Sequence, residues 1–98
     1  MPLSATNLPV VPDEHRRAIG FWMTDAKNDS PIRVFVTYEA LWQMDPSRLR
    51  DGPSAIATCE AHRTRLEQHA SRKFDDRGVD EGEYKGRPTL FLRSMDIL

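Results

Sequence analysis

Residues 54–78 read SAIATCEAHRTRLEQHASRKFDDRG, and the architecture follows from the period of this stretch. At about 100° per residue, Ile56, Cys59, Leu66, Ala70 and Phe74 fall within about 80° of one another. That is the apolar stripe of an amphipathic helix. Ser54 offers an N-cap, and Gly78 offers a left-handed stop after Arg77. The pattern predicts one continuous helix over 54–77. Arg63 lies inside the stripe, so its head group needs a partner or must reach out along its stem. Glu60 and Glu67, three and four residues away, are the natural partners. A second subunit facing this part of the stripe would serve equally well.

Working outward, RRAIGFWMTD (16–25) alternates: Ile19, Phe21 and Met23 on one side, Ala18, Gly20, Trp22 and Thr24 on the other. IRVFVTY (32–38) is β-branched and aromatic, with Ile32, Val34, Val36 and Tyr38 on one face and Arg33, Phe35 and Thr37 on the other. The turn residues between them predict an antiparallel hairpin. YEALWQM (38–44) shifts to helical spacing behind a Thr37 cap and stops at Asp45-Pro46. Residues 47–54 read as a loop, 79–87 as an acidic, glycine-bearing connector, 89–94 as a third strand and 94–98 as a last helical turn. The expected fold is α+β: a small antiparallel sheet, in the order β-β-α-α-β, packed against one long amphipathic helix. Residues 1–13 carry three of the seven prolines and read as an extended arm. Leu8, Val10 and Val11 are its candidates for docking on the domain or on a second subunit. Residues 14–98 form the single domain.

The totals narrow the function. The chain has 98 residues, enough for one domain, and a formal charge of −1. A nucleic-acid binder of this size usually carries a clear positive excess. One cysteine, Cys59, permits no intrachain disulfide or paired-cysteine zinc knuckle. With no apolar run long enough to span a bilayer and no signal-like leader, the expected location is the cytoplasm.

The cations on the helix define one candidate site. His62, Arg65, His69 and Arg72 fall on the edge beside the stripe, with Lys73 at its margin. Such a row can track phosphates. Against this, Asp75 and Asp76 follow at once, and no aromatic interleaves to stack bases. His62 and His69 lie two turns apart, about 10 Å, too far to share a metal ion. A Cys59/His62 dyad is possible on paper, but a cysteine on an apolar stripe is usually a small core residue. No phosphate cradle, serine elbow or zinc motif occurs, and no cofactor is expected. Trp22 and Trp42 are hard to bury in so small a chain, and surplus aromatics mark interfaces.

RRAIGFW, IRVFVTYEAL, AHRTRL with Ala70 and Phe74, and TLFLRSMDI resemble, in that order over residues 16–97, a family of small bacterial proteins known only as domain of unknown function 1488. The resemblance implies a compact α+β protein and carries no functional residue. The longer acidic connector and the proline-rich arm depart from the family's pattern. The sequence therefore reads as a cytoplasmic, non-enzymatic, protein-binding or regulatory domain, homodimeric, with Trp22, Trp42 and Arg63 at its interface. The alternatives are a nucleic-acid-binding accessory protein using His62, Arg65, His69, Arg72 and Lys73, and a small enzyme or ligand binder near Cys59 and His62.

Overall fold

Strands β3 (Ala18–Asp25) and β4 (Ser30–Thr37) form the central antiparallel ladder, in register from Ala18–Thr37 to Asp25–Ser30. Their alternation is the one the sequence dictates. Ile19, Phe21 and Met23 on β3, and Ile32, Val34 and Val36 on β4, enter the main core. The computed structural model describes residues 3–6, 8–27, 29–44 and 52–97. The predicted helix stop at Asp45-Pro46 and the greater part of the predicted loop, 47–51, lie outside the described residues.

The N-terminal arm joins this sheet. Strand β1 (Leu3–Ala5) and strand β2 (Val11–Asp13) both pair antiparallel with β3. Of the three docking candidates, Val10 is buried in the core, whereas Leu8 and Val11 are exposed. Leu3 is buried as well. Its carbonyl accepts a hydrogen bond from the Ser71 hydroxyl at 3.3 Å.

Helix α1 (Tyr38–Met44) follows β4 directly, and its Ala40 N–H bonds to the Thr37 hydroxyl at 3.2 Å, the predicted cap. The expected single long helix is two: α2 (Gly52–Ala61) and α3 (Arg63–Arg77), broken at His62, whose φ of −108° and ψ of 14° leave the helical region. A straight rod over 54–77 would run about 36 Å. An eight-residue strand runs only about 27 Å. The break lets α2 lean on β2 and β3 while α3 lies on β1 and β6 (Arg87–Leu92). Within α2, the Thr58 hydroxyl donates back to the Ser54 carbonyl at 2.8 Å, a bond that bends helices. The apolar stripe survives the break: Cys59, Leu66 and Ala70 are fully buried, and Ile56 and Phe74 pack against the core.

The connector is a strand, β5 (Asp80–Tyr84), antiparallel to β6. Tyr84 pairs with Arg87 around Lys85-Gly86, both at positive φ, as a two-residue hairpin turn requires. Strand β6 then pairs with β4 in parallel, from Arg33–Thr89 to Val36–Leu92. The all-antiparallel expectation fails here. Three helices intervene between β4 and the β5–β6 hairpin, and a helical crossover returns the chain in the parallel sense. The sheet order is β1-β3-β4-β6-β5, with β2 also on β3. A last turn, α4 (Ser94–Ile97), packs on α1. The fold is α+β, a mixed open sheet with the helices on one face. Among the described residues, no helix is long and apolar enough to cross a membrane.

Candidate functional site

The sheet face away from the main core carries the least expected chemistry. Gly20, Trp22, Arg33, Phe35, Thr89 and Phe91 alternate away from the core residues of β3, β4 and β6. Tyr84 comes from β5, three ladder steps from β3, about 14 Å in a flat sheet. Its ring centroid nevertheless lies 5.9 Å from Trp22 and 5.5 Å from Phe35. The edge hairpin thus covers this face. Between the rings sits the guanidinium of Arg33, its Cζ 5.0 Å from the centroid of Trp22, 4.7 Å from Tyr84 and 5.5 Å from Phe35. Arg33 is only 4% exposed. Burial lowers its pKa, yet an arginine stays charged at neutral pH.

Arg16 flanks the cluster from the β2–β3 turn, its Cζ 5.0 Å from the Phe35 centroid and 5.4 Å from Tyr84. It is paired with Asp13 at 2.8 Å. Burial would raise the Asp13 carboxyl, but the hydrogen bonds and charge of Arg16 hold it below its ordinary value. Beyond Arg16 opens a hollow of about 420 Å³ lined by Arg16, Arg17, Thr37, Tyr38, Glu39 and Arg93. Sequence alternation places Arg33 and Phe35 on one face. Nothing in the sequence brings Tyr84 there from fifty residues away. The available signal was the arginine itself, set inside a β-branched strand.

The sequence-predicted residues are dispersed. Arg63 donates to the Thr6 carbonyl at 2.9 Å and to Glu67 at 3.3 Å, and its Cζ lies 5.3 Å from the Phe21 centroid. It ties the N-terminal arm to α3. Trp22 is half-buried under Arg33, and Trp42 is 51% exposed on α1. On the cationic edge, Arg65 and Arg72 are exposed and His62 and His69 half-buried. Burial, then the charges of Arg65 and Arg72, push the His69 imidazole below its ordinary pKa. Lys73 is engaged: its ammonium donates to the Phe91 carbonyl at 2.6 Å and to Asp96 at 3.1 Å. Cys59 is fully buried in the core, and burial, with Glu60 next, pushes its thiol up to about 12. Among the described residues, no group of His, Cys, Asp and Glu is placed to hold a metal ion.

A family model described as a protein of unknown function, DUF1488, matches residues 7–85. The chain belongs to the DUF1488 family. The match takes in the second half of the arm and most of the 79–87 connector, the two segments expected from the sequence to depart from the family's pattern. A solved structure of a DUF1488 protein of unknown function from Shewanella loihica PV-4 is similar over 91% of each chain, with a TM-score of 0.71 at 16% identity. At that identity the likeness speaks for the fold, and a DUF1488 fold is consistent with the sheet and helices above. Comparison with curated proteins gives no match.

Proposed function

We propose that this DUF1488 chain is a protein-binding domain that works as a homodimer and performs no chemical step of its own. The supporting observation is Trp42, half in water on α1. An exposed indole is a large apolar surface with a single polar N–H, the kind of side chain enriched at interface cores. Met95, 73% exposed on α4, belongs to the helix packed against α1. A second copy is the favoured partner. A small domain has a limited core of its own and gains stability by association. A formal charge of −1 opposes self-association only weakly. Trp22 and Arg63 support this reading less, since both are held inside the domain. A thiol that stays protonated at neutral pH supports the absence of nucleophilic chemistry at Cys59. A single free, buried cysteine fits the reducing cytoplasm.

Light scattering tests the reading. The wild type is expected at twice the 11.3 kDa chain mass, and Trp42→Ser at once that mass. A wild type that stays monomeric at every concentration overturns it. A nucleic-acid contact along His62, Arg65, His69, Arg72 and Lys73 has weaker support, because Lys73 is engaged and Asp76 and Asp96 line the same hollow as His69 and Arg72. Salt-sensitive heparin retention lost in Arg65→Glu/Arg72→Glu would favour it instead.

A further inference from the structure

Three chain junctions meet at one end of the sheet. Strands β4 and β6 are parallel, with Val36 opposite Leu92, so Thr37 and Arg93 leave the ladder side by side. Strand β3 begins at the same end, with Ala18 opposite Thr37, which brings the Arg16-Arg17 turn alongside. The hollow of about 420 Å³ lies here, within the size range of small-molecule sites. Arg16 and Arg17 line it from the turn, Thr37, Tyr38 and Glu39 from the β4–α1 junction, and Arg93 from the β6–α4 junction. Its rim is fixed. The Tyr38 N–H donates to the Arg17 carbonyl at 3.1 Å, and the Tyr38 hydroxyl to Glu14 at 3.3 Å. On the other side the Arg93 N–H donates to Asp96 at 2.9 Å. A preformed rim lowers the cost of binding. Arg17 itself has a φ of 51°, in the left-handed region. Glycine takes that conformation freely and an arginine does so under strain. Strain beside a hollow points to a use for the side chain.

We infer that this hollow receives a phosphorylated sugar, free or as part of a mononucleotide. Arg17 and Arg93 take the phosphate, and Glu39 accepts a hydrogen bond from a sugar hydroxyl. Three guanidiniums on one hollow repel one another, and the carboxylates behind the rim are already engaged. Asp13 holds Arg16 at 2.8 Å, Glu14 receives the Tyr38 hydroxyl, and Asp96 holds Lys73 at 3.1 Å. Glu39 is the one carboxylate among the lining residues. Geometry selects the anion. Strands β3 and β6 flank β4, about 10 Å apart, so Arg17 and Arg93 approach a ligand from opposite sides. A phosphate monoester has three acceptor oxygens and serves both, whereas a carboxylate presents one edge that a single guanidinium fork fills. Arg16, already paired, adds to the field. The site does not rest on the dimer contact proposed through Trp42, and it requires binding without a chemical step.

The test uses the full chain, ¹⁵N-labelled and titrated at constant ionic strength with ribose 5-phosphate. Inorganic phosphate, ribose and adenosine monophosphate are run in parallel. The amide signals of Arg17, Tyr38 and Glu39 are expected to move together and saturate, with half-saturation below about 5 mM for ribose 5-phosphate. Inorganic phosphate is expected to bind several-fold more weakly and ribose not at all. Tighter binding of adenosine monophosphate than of ribose 5-phosphate marks the nucleotide as the source, and the reverse marks the free sugar phosphate. Arg17→Gly relieves the left-handed strain, so its Tm holds or rises while half-saturation increases about tenfold. Arg93→Gln gives a similar loss, and Glu39→Gln narrows the advantage of ribose 5-phosphate over inorganic phosphate. Absence of a saturable ribose 5-phosphate shift in the wild type overturns the proposal. So does ribose binding as well as its phosphate, an unchanged half-saturation in Arg17→Gly or Arg93→Gln, or an unchanged advantage in Glu39→Gln. The wild-type titrations decide even if a variant fails to fold.

Discussion

Gly20 of β3 and Arg33 of β4 are packed so closely that a methyl group on Gly20 would stand 2.9 Å from two nitrogens of the guanidinium and 2.8 Å from Cε1 of Phe35. The arginine could swing aside, but the Phe35 ring is fully buried and has nowhere to go. Gly20→Ala is therefore an overpacking change, expected to cost about 1–3 kcal/mol. In a domain of this size each kilocalorie lowers Tm by about 4–8 °C. A thermal melt of the variant checks this, and a Tm unchanged within error would mean that the face is looser than the contacts indicate.

Lys73 of α3 and Asp96 of α4 pair at 3.1 Å, and the Lys73 ammonium also bonds to the Phe91 carbonyl of β6. Burial would raise the Asp96 carboxyl, but the Arg93 backbone N–H, then the hydrogen bond and charge of Lys73, hold it below its ordinary value. A depressed carboxyl contributes stability above its unfolded pKa of about 3.9 and loses it as pH falls through the folded value. Lys73→Met leaves Asp96 and the Phe91 carbonyl without the ammonium. The expected cost is about 1–3 kcal/mol at pH 7. The gap between wild type and variant narrows below about pH 4, where the unfolded carboxyl takes up its proton before the folded one does. Urea titrations at pH 7 and pH 3.5 measure both values, and a gap that does not change with pH would remove Asp96 from the account.

The parts of the fold carried by local period were legible in the sequence. The alternation of Ile19, Phe21 and Met23, the Thr37 cap and the Leu66–Phe74 stripe all appear where their spacing puts them. The break at His62 was not legible, because it answers to the length of the sheet, and the one local contribution, the Thr58 back-bond, bends a helix without ending it. Strand β5 was hidden by its composition: Asp80, Glu81, Gly82 and Glu83 are poor strand formers, and only the Lys85-Gly86 turn announced a hairpin. For Arg63, the local partner Glu67 could be read at four residues' distance, whereas Thr6 is fifty-seven residues away. The Arg33 cluster failed to show for the same reason. Its floor is local to one hairpin, and its cover, Tyr84, arrives from a distant strand.

The Arg63–Thr6 bond predicts a local effect. Arg63→Ala removes the donor at 2.9 Å and the cation over Phe21, while α3 keeps a good helix former. Global stability is expected to fall by about 1–2 kcal/mol. The larger change is in β1, whose amides at 3–5 should exchange with solvent more than those of β3 and β4. Hydrogen exchange followed residue by residue checks this. Uniform loss of protection would mean that the arm and the domain open as one unit.

Cys59 gives a prediction with a definite pH window. Its thiol is pushed up to about 12 in the folded chain, against about 8.5 in an unfolded one. The folded state therefore holds its proton over a range in which the unfolded state has lost it. Stability is intact below about pH 8.5 and then falls by about 1.4 kcal/mol per unit until the folded value is reached. Cys59→Ala removes this term, so its stability should decline less steeply between about pH 8.5 and 10 than that of the wild type. Labelling with a thiol reagent gives the kinetic counterpart. The thiolate forms only after the core opens, so the rate should rise with pH through the opened-state value near 8.5 and climb steeply with denaturant. Fast labelling at pH 7 without denaturant would show a reactive thiol, and the catalytic reading near Cys59 and His62 would then displace the inert one.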